Sequence, residues 1–152
     1  MLNKEMEDDL NGQINAEMYS AYLYLSMSAY FQSISLSGFA NWMRVQYQEE
    51  MAHAMKFYDF INERGGRVTL KVIDAPPTNW ASPLAAFEAA YAHEQKVTGL
   101  INDLVEKALE ERDHATSIFL QWFVSEQVEE EDNANKIVEH IKLMGDERGG
   151  MF

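Results

Sequence analysis

The sequence predicts an all-α protein, a four-helix bundle with one long crossover connection between the second and third helices. The chain has 152 residues, of which 47% are hydrophobic, so it has the length of one domain with a sizeable core. Only 3 Pro and 8 Gly interrupt a composition rich in helix-favouring residues. Apolar residues recur in steps of four and three along four separate stretches, which is the period of an amphipathic helix.

Charge and composition exclude several classes of function. The net charge of −13 argues against nucleic-acid binding, which depends on lysine and arginine neutralising phosphates. With 0 Cys, the chain offers no disulfide, thiolate metal site or iron–sulfur cluster. No apolar run approaches the roughly 18 residues of a membrane span, and the first residues carry no apolar signal region. We therefore expect a cytoplasmic protein. Its negative charge indicates either a solvated acidic surface or a surface that gathers cations, and composition alone does not distinguish the two.

The first two helices are predicted to form an antiparallel hairpin. The first spans about 5–33 and the second about 37–64, because Ser37 can cap its start and Gly65 and Gly66 stop it. The connection between them is too short for any other arrangement of neighbouring helices. Ligand-type side chains interrupt both core-facing stripes, which are Leu10, Ile14, Glu17, Ala21, Tyr24, Ser28 and Phe31, then Phe39, Met43, Gln46, Glu50, His53, Phe57 and Phe60.

The helical period disappears over residues 65–82. Pro76 and Pro77 forbid a helix there. Roughly 18 extended residues can span about 55–60 Å, whereas a helix of about 27 residues is only ~40 Å long. This segment can therefore run the full length of a bundle and restart at its other end.

The last two helices are predicted to form a second hairpin. The third helix spans about 83–111, with Ser82 as its cap and Pro83 at its first position. The fourth spans about 114–144, opened by Asp113. Polar residues again interrupt the stripes, which are Phe87, Tyr91, Glu94, Thr98, Ile101, Val105 and Ala108, then Thr116, Leu120, Phe123, Gln127, Glu130, Ala134, Ile137, Ile141 and Met144.

The two hairpins are internal repeats offset by 77 positions. The offset maps Glu17 onto Glu94, Glu49 onto Glu126, Glu50 onto Gln127 and His53 onto Glu130. Residues equidistant from a hairpin turn lie at the same height, so we expect Glu17 to face Glu50. For the same reason we expect Glu94 to face Gln127. If the crossover stacks the two hairpins, the polar interruptions of all four stripes meet in one layer.

Such a layer predicts a dinuclear metal centre. Any one acid in a stripe could reflect a misjudged helix face, and a single core histidine is more often structural than a ligand. Four buried carboxylates with one imidazole, however, would repel strongly and have pKa values raised by up to about 3–5 units. Two divalent cations would balance them, as in the carboxylate bundle proteins. Oxygen-rich ligation favours iron or manganese over zinc.

The spacing also suggests individual roles within this centre. Glu50 is the natural bridge, with His53 completing one site while Glu94 and Glu130 hold the other. Gln127 carries no charge, and we expect it to hydrogen-bond a bound water, dioxygen or peroxide rather than to ligate tightly. Two turns from the first acid of helix one, a tyrosine at position 24 can approach the metals or simply pack in the core.

Several motifs together resemble the ferritins, specifically the haem-free prokaryotic type. They cover nearly all of the chain and are Asn15-Ala16-Glu17, Tyr22–Leu25, Gln48–His53, Glu63–Gly66, His93-Glu94 and Glu126–Glu131. The resemblance implies a ferroxidase centre whose first iron is held by Glu17, Glu50 and His53. It implies that Glu50, Glu94 and Glu130 hold the second. Fe(II) would be oxidised by O₂ or H₂O₂, and Fe(III) would mineralise inside a homo-oligomeric shell of 24 copies.

The resemblance also implies roles for further residues. It implies a third iron site at Glu49, Glu126, Glu129 and Glu130. Spacing alone favours a solvated face for Glu126 and Glu129, whereas the offset that maps Glu49 onto Glu126 favours the iron site. Gln127 resembles the residue beside the centre, and Tyr24 the nearby redox-active tyrosine. Trp122 resembles an aromatic that could share that electron-donor role or pack. No haem is expected, although Met51 stands where the haem-binding relatives have their ligand, because the fourth helix has Gln127-x-x-Glu130 in place of their Glu-x-x-His.

One departure and two alternative functions remain. Ferritins continue into a short fifth helix at their four-fold channels, whereas this sequence divides into a bundle over 1–145 and a short tail over 146–152 without that helix. One alternative is a rubrerythrin-like di-iron peroxidase without mineral storage, which usually needs a cysteine-ligated iron as its electron donor. The other is a non-enzymatic structural bundle.

Overall fold

A computed structural model describes residues 1–145, and nothing but α-helix is regular within them. The helices are α1 (Lys4–Ser33), α2 (Ser37–Glu63), α3 (Pro83–Glu110) and α4 (His114–Gly145). Their bounds lie within one or two residues of those expected from hydrophobic period and capping. The tail predicted over 146–152, and with it the question of a fifth helix, lies outside the described residues.

The chain forms two compact units. The first covers Met1–Asn79 and consists of α1, α2 and the crossover, while the second begins at Trp80 and contains α3 and α4. In each unit the two helices pack against one another along their length, so each is a helical hairpin. No helix among residues 1–145 is long and apolar enough to cross a membrane.

The first hairpin turns through a backbone motif that the sequence did not suggest. Ser35 adopts a left-handed conformation with φ 62°. Its N–H donates to the carbonyl of Gln32 at 3.1 Å, and the N–H of Leu36 donates to the carbonyl of Phe31 at 2.9 Å. These two bonds form a Schellman motif, which satisfies the last carbonyls of α1. The predicted cap at Ser37 is wrong, because Leu36 both closes this motif and occupies the N-cap position of α2 without a side-chain cap bond.

Side-chain caps open the other three helices. The hydroxyl of Ser82 accepts from the N–H of Ala85 at 3.0 Å, as predicted. The Asp113 carboxylate accepts from the N–H of Thr116 at 3.1 Å and from the Thr116 hydroxyl at 2.7 Å, which confirms the cap predicted for α4. Asn3 caps α1 by accepting from the Met6 N–H at 2.8 Å.

The left-handed turn residues provide a stability test. Arg112 (φ 58°) and Gly65 (φ 76°) occupy the same position of a Schellman motif after α3 and α2 as Ser35 does after α1. A side chain in this conformation costs about 1–2 kcal/mol, partly offset by the greater freedom of glycine in the unfolded chain. Ser35→Gly and Arg112→Gly are therefore each expected to stabilise by about 0.5–1 kcal/mol, measured as a higher thermal midpoint. Gly65→Ala is the matched control and should lower it; a fall for Ser35→Gly would contradict the argument.

The crossover is hydrogen-bonded to α1 near its start and near its end. Arg67 near its start donates its N–H to Glu7 Oε1 at 2.8 Å, which is the main reason why the pKa of the Glu7 carboxyl lies below its ordinary value. Near its end, the carbonyl of Pro77 accepts from the Ser26 hydroxyl at 2.6 Å. The two anchor points on α1 are about 29 Å apart along the helix. The crossover thus returns along the first hairpin, as its length and prolines predict.

Asn11 anchors the crossover near its start. Its side chain is 4% exposed. Its Nδ2 donates to the Arg67 carbonyl at 2.9 Å and its Oδ1 accepts from the Thr69 N–H at 2.8 Å. The amide therefore pairs with the crossover backbone as a neighbouring strand would.

The predicted core stripe of α1 is buried throughout, and that of α2 holds at its centre and drifts at its ends. All seven stripe residues of α1 are buried. In α2, however, Ala40 and Ile61 are buried at the two ends, where the four-three stepping placed Phe39 and Phe60. Strict seven-residue stepping drifts by about 20° per heptad relative to a straight helix. The error in α2 therefore grows away from the centre, and its polar residues at mid-helix are unaffected. In α3, by contrast, the mid-helix stripe residue Thr98 is only half-buried.

Candidate metal centre

The first hairpin brings Glu17, Glu50 and His53 together. Glu17 comes from the middle of α1, and the other two lie one turn apart on α2. All three are buried, at 0%, 0% and 4% exposure. His53 Nδ1 lies 3.5 Å from Glu50 Oε2 and 3.8 Å from Glu17 Oε2. The two glutamates meet because they are equidistant from the turn.

The electrostatics of Glu17 reflect this confinement. Burial alone would raise the pKa of its carboxyl. Hydrogen bonding to His53 and Glu50, attraction to the imidazole and a hydrogen bond from Gln13 together outweigh burial, so the pKa of Glu17 lies below its ordinary value. The neighbours of Glu17 therefore stabilise its carboxylate against the cost of burial.

Gln13 is a site residue that the sequence reasoning missed. It is 4% exposed, and its Nε2 donates to Glu17 Oε1 at 3.2 Å. A hydrogen bond of this kind leaves the second carboxylate oxygen for the imidazole. The available signal was spacing, because Gln13 lies one turn before Glu17 on the same face.

The cluster in the first hairpin has the donor set of a metal site. One ligand atom from each of Glu17, Glu50 and His53 lies within 4.8 Å of the others. Two carboxylates and one imidazole suit Fe(II) and related divalent ions. A cation here would also compensate for the burial of two acids beside a single imidazole.

The second hairpin buries its own polar set. Glu94, Gln127 and Glu130 are 1%, 2% and 5% exposed. Gln127 Nε2 donates to the main-chain carbonyl of Glu94 at 3.1 Å, so α3 and α4 meet at the expected height. The same nitrogen donates to Thr98 Oγ1, also at 3.1 Å.

Thr98 links the amide to another acid. Its hydroxyl contacts Glu131 Oε2 and the carbonyl of Glu94. The sequence reasoning included Thr98 only as a stripe residue and assigned Glu131 no role. The signal for both lay in helical spacing, one turn after each of two site residues.

The other predicted site residues differ in exposure. Tyr24 is buried at 1% exposure, two turns from Glu17 on α1. Glu49 and Glu129 are exposed and Glu126 is half-buried. The ring of Trp122 is 42% exposed and meets the edge of its neighbouring phenylalanine at 4.9 Å between ring centroids.

Comparisons with known sequences cover the whole chain. A family model described as a Ferritin-like domain matches residues 7–144. The bacterial non-heme ferritin of Bacteroides fragilis is 49% identical over 152 residues, covering 100% of this chain and 94% of that protein. The bacterial non-heme ferritin of Campylobacter jejuni is 45% identical, covering 100% of this chain and 91% of that protein.

Solved structures agree with the sequences. The crystal structures of an open pore ferritin from the hyperthermophilic archaeon Archaeoglobus fulgidus match with a TM-score of 0.97 and 58% identity, covering 99% of this chain and 93% of that chain. The ferritin of Chlorobium tepidum matches with a TM-score of 0.92 and 43% identity, covering 99% and 91%. These likenesses confirm the predicted fold class, the ferritin-like four-helix bundle.

Proposed function

Because this chain belongs to the ferritin family of iron-storage proteins, we propose that it oxidises Fe(II) at a dinuclear centre and stores the Fe(III) as mineral. The observation that carries the proposal is the buried cluster of Glu17, Glu50 and His53, whose ligand atoms lie within 4.8 Å of one another. A structural bundle has no use for two acids in its core, since they cost stability unless a cation balances them.

The proposed centre uses both hairpins. Glu17, Glu50 and His53 bind the first iron, and Glu50 bridges to a second iron bound by Glu94 and Glu130. The support in the second hairpin is the burial of its two glutamates, at 1% and 5% exposure. Gln127 lies beside this second site, supported by its hydrogen bond to the main chain at Glu94.

Iron is the substrate of the reaction and also the stored product. Each Fe(II) gives up one electron, so a pair reduces O₂ and two protons to H₂O₂, or H₂O₂ and two protons to two waters. The carboxylates favour the higher charge of Fe(III) and so help to drive the oxidation. Tyr24, buried two turns from Glu17, is proposed as a nearby electron donor.

Iron would leave the dinuclear centre through a third iron site. We propose Glu49, Glu126, Glu129 and Glu130 for it, and the support is that the three on α4 fall within little more than one turn. The exposure of Glu49 and Glu129 suits a site that receives iron from the centre and passes it on to the mineral.

Storage requires a closed container, and we propose a homo-oligomeric shell of 24 copies. The support is similarity to ferritins over 99% of this chain. The relative from Archaeoglobus fulgidus is described as an open pore ferritin, and a pore of that kind would give Fe(II) a wide route into the proposed shell.

The proposal is tested by size-exclusion chromatography with light scattering on the metal-free protein, followed by aerobic Fe(II) addition. About ten or more irons per chain should be added, well above the few that the named sites hold. We expect a particle of about 24 chains that stays soluble and turns amber. A dimer or monomer that oxidises two or three irons per chain and then precipitates would contradict storage. Consumption of H₂O₂ without mineral would instead favour a peroxidase.

A further inference from the structure

A hydrogen-bonded chain in the second hairpin holds the side-chain amide of Gln127. Its nitrogen donates to the carbonyl of Glu94 and to the hydroxyl of Thr98, each at 3.1 Å. An amide nitrogen carries two hydrogens and accepts none, so this end of the amide can only donate. The side chain is 2% exposed, which keeps water from competing for these bonds.

The Thr98 hydroxyl has one hydrogen and two nearby acceptors. Its oxygen lies 2.5 Å from Glu131 Oε2 and 3.0 Å from the carbonyl of Glu94. The charged acceptor makes the stronger bond, so the hydrogen is directed to Glu131. The hydroxyl oxygen is then left as an acceptor, and Gln127 is the donor that meets it.

The direction of these hydrogen bonds determines which end of the Gln127 amide faces Glu94 and Thr98 and which end faces away from them. Turning the amide over would place Oε1 of Gln127 against the carbonyl oxygen of Glu94, so two acceptors would meet. It would also place Oε1 against Thr98, whose only hydrogen is already used by Glu131. Both contacts oppose the reversed orientation, because a buried acceptor without a donor costs about 1–3 kcal/mol.

We propose that Thr98 and Glu131 are positioning residues that lock Gln127 so that it offers only its carbonyl oxygen to the iron centre. Gln127 thus acts as a neutral oxygen ligand, or accepts a hydrogen bond from iron-bound water. It does not donate to dioxygen or peroxide, which narrows the role expected from the sequence. This inference rests on the proposed dinuclear centre.

The test compares Thr98→Val with Thr98→Ser in the full-length protein, using Co(II) as a metal that does not oxidise in air. Valine keeps the shape and removes the hydroxyl, whereas serine restores the hydroxyl. Losing an outer hydrogen-bond partner costs about 10–100-fold in metal affinity. We therefore expect Thr98→Val to weaken one of the two Co(II) sites per chain about 10-fold, and Thr98→Ser to bind as the wild type does.

A double-mutant cycle identifies the route of the effect. In a Gln127→Leu background there is no amide to hold, so Thr98→Val should cause no further loss of Co(II) affinity. An equal loss in both backgrounds would overturn the proposal. Thermal midpoints of the metal-free proteins show that each variant folds, and Thr98→Ala replaces Thr98→Val if the latter does not.

The outcomes separate this inference from the proposed function. Wild-type protein that binds two Co(II) per chain, with Thr98→Val unchanged, overturns the inference alone. Equal weakening by valine and serine assigns the effect to packing and also overturns it. Wild-type protein that binds no Co(II) at the centre overturns the proposed function and this inference with it.

Discussion

Replacing Glu50 by Leu is expected to slow the rapid oxidation of Fe(II) by at least about 100-fold, because losing a bridging ligand costs more than the roughly 10–100-fold cost of losing an outer partner. Glu50 is fully buried and lies 3.5 Å from His53. In the proposed centre it touches both irons. Loss of Glu50 therefore disrupts both iron sites and not only one.

The same substitution is expected to stabilise the metal-free protein. The first hairpin buries two acids beside one imidazole, and burial opposes the ionised form of a carboxylate when no cation is bound. Glu50→Leu leaves Glu17 paired with His53, whose nearest atoms are 3.8 Å apart. Replacing buried charge by apolar volume often gains about 1–4 kcal/mol. A gain in stability with a loss of activity is the signature of a functional site and not of a structural one.

Stopped-flow absorbance after aerobic Fe(II) addition measures the oxidation rate, and chemical unfolding of the metal-free protein measures stability. Asp59→Leu is the matched control, since it removes one acid from an exposed position of the same helix. It should leave the oxidation rate unchanged. Wild-type oxidation by the Glu50→Leu protein would show that iron is oxidised elsewhere.

Replacing Asn11 by Ala is expected to lower the free energy of unfolding by about 2–3 kcal/mol. The side chain makes three hydrogen bonds, to the main chain at Glu7, Arg67 and Thr69. Each contributes about 0.5–1.5 kcal/mol, and the buried partners left behind add to the loss. The crossover should also become more sensitive to proteases, because its buried anchor near the start is gone.

Urea unfolding and limited proteolysis measure the two effects. Asn15→Ala is the matched control on the next turn of α1, where the amide is more exposed and donates to Val72 at 3.0 Å and to Lys71 at 3.4 Å. It should cost less than about 1 kcal/mol. Equal losses for the two variants would contradict the special role of Asn11.

The sequence predicted what depends on repeating patterns. Helical period located the four helices, and equal distance from a turn paired Glu17 with Glu50. Sequence patterns did not predict the hydrogen bonds in which one side chain pairs with main-chain atoms far away in the sequence. Asn11 has the local character of any polar helix residue, and its crossover partners lie 56 and 58 positions away.

The same limit explains the missed turn and the missed polar partners. A left-handed conformation at Ser35 accompanies backbone bonds from the turn to the last turn of α1, which a preference for glycine could not reveal. The direction of the Gln127 amide depends on which acceptor a threonine hydroxyl selects. Spacing can bring such groups to one face but cannot assign their hydrogens.

The anchoring of the crossover affects the order in which the chain can mature during synthesis. Its partners on α1, from Glu7 to Ser26, all precede it in the chain. Hairpin and crossover can therefore reach their final pairing before the second hairpin has emerged from the ribosome. At about 5–20 residues per second, α3 and α4 take several seconds more to emerge, whereas local helical contacts form in milliseconds or less. The ribosome would thus release a nascent chain whose first half is already shaped.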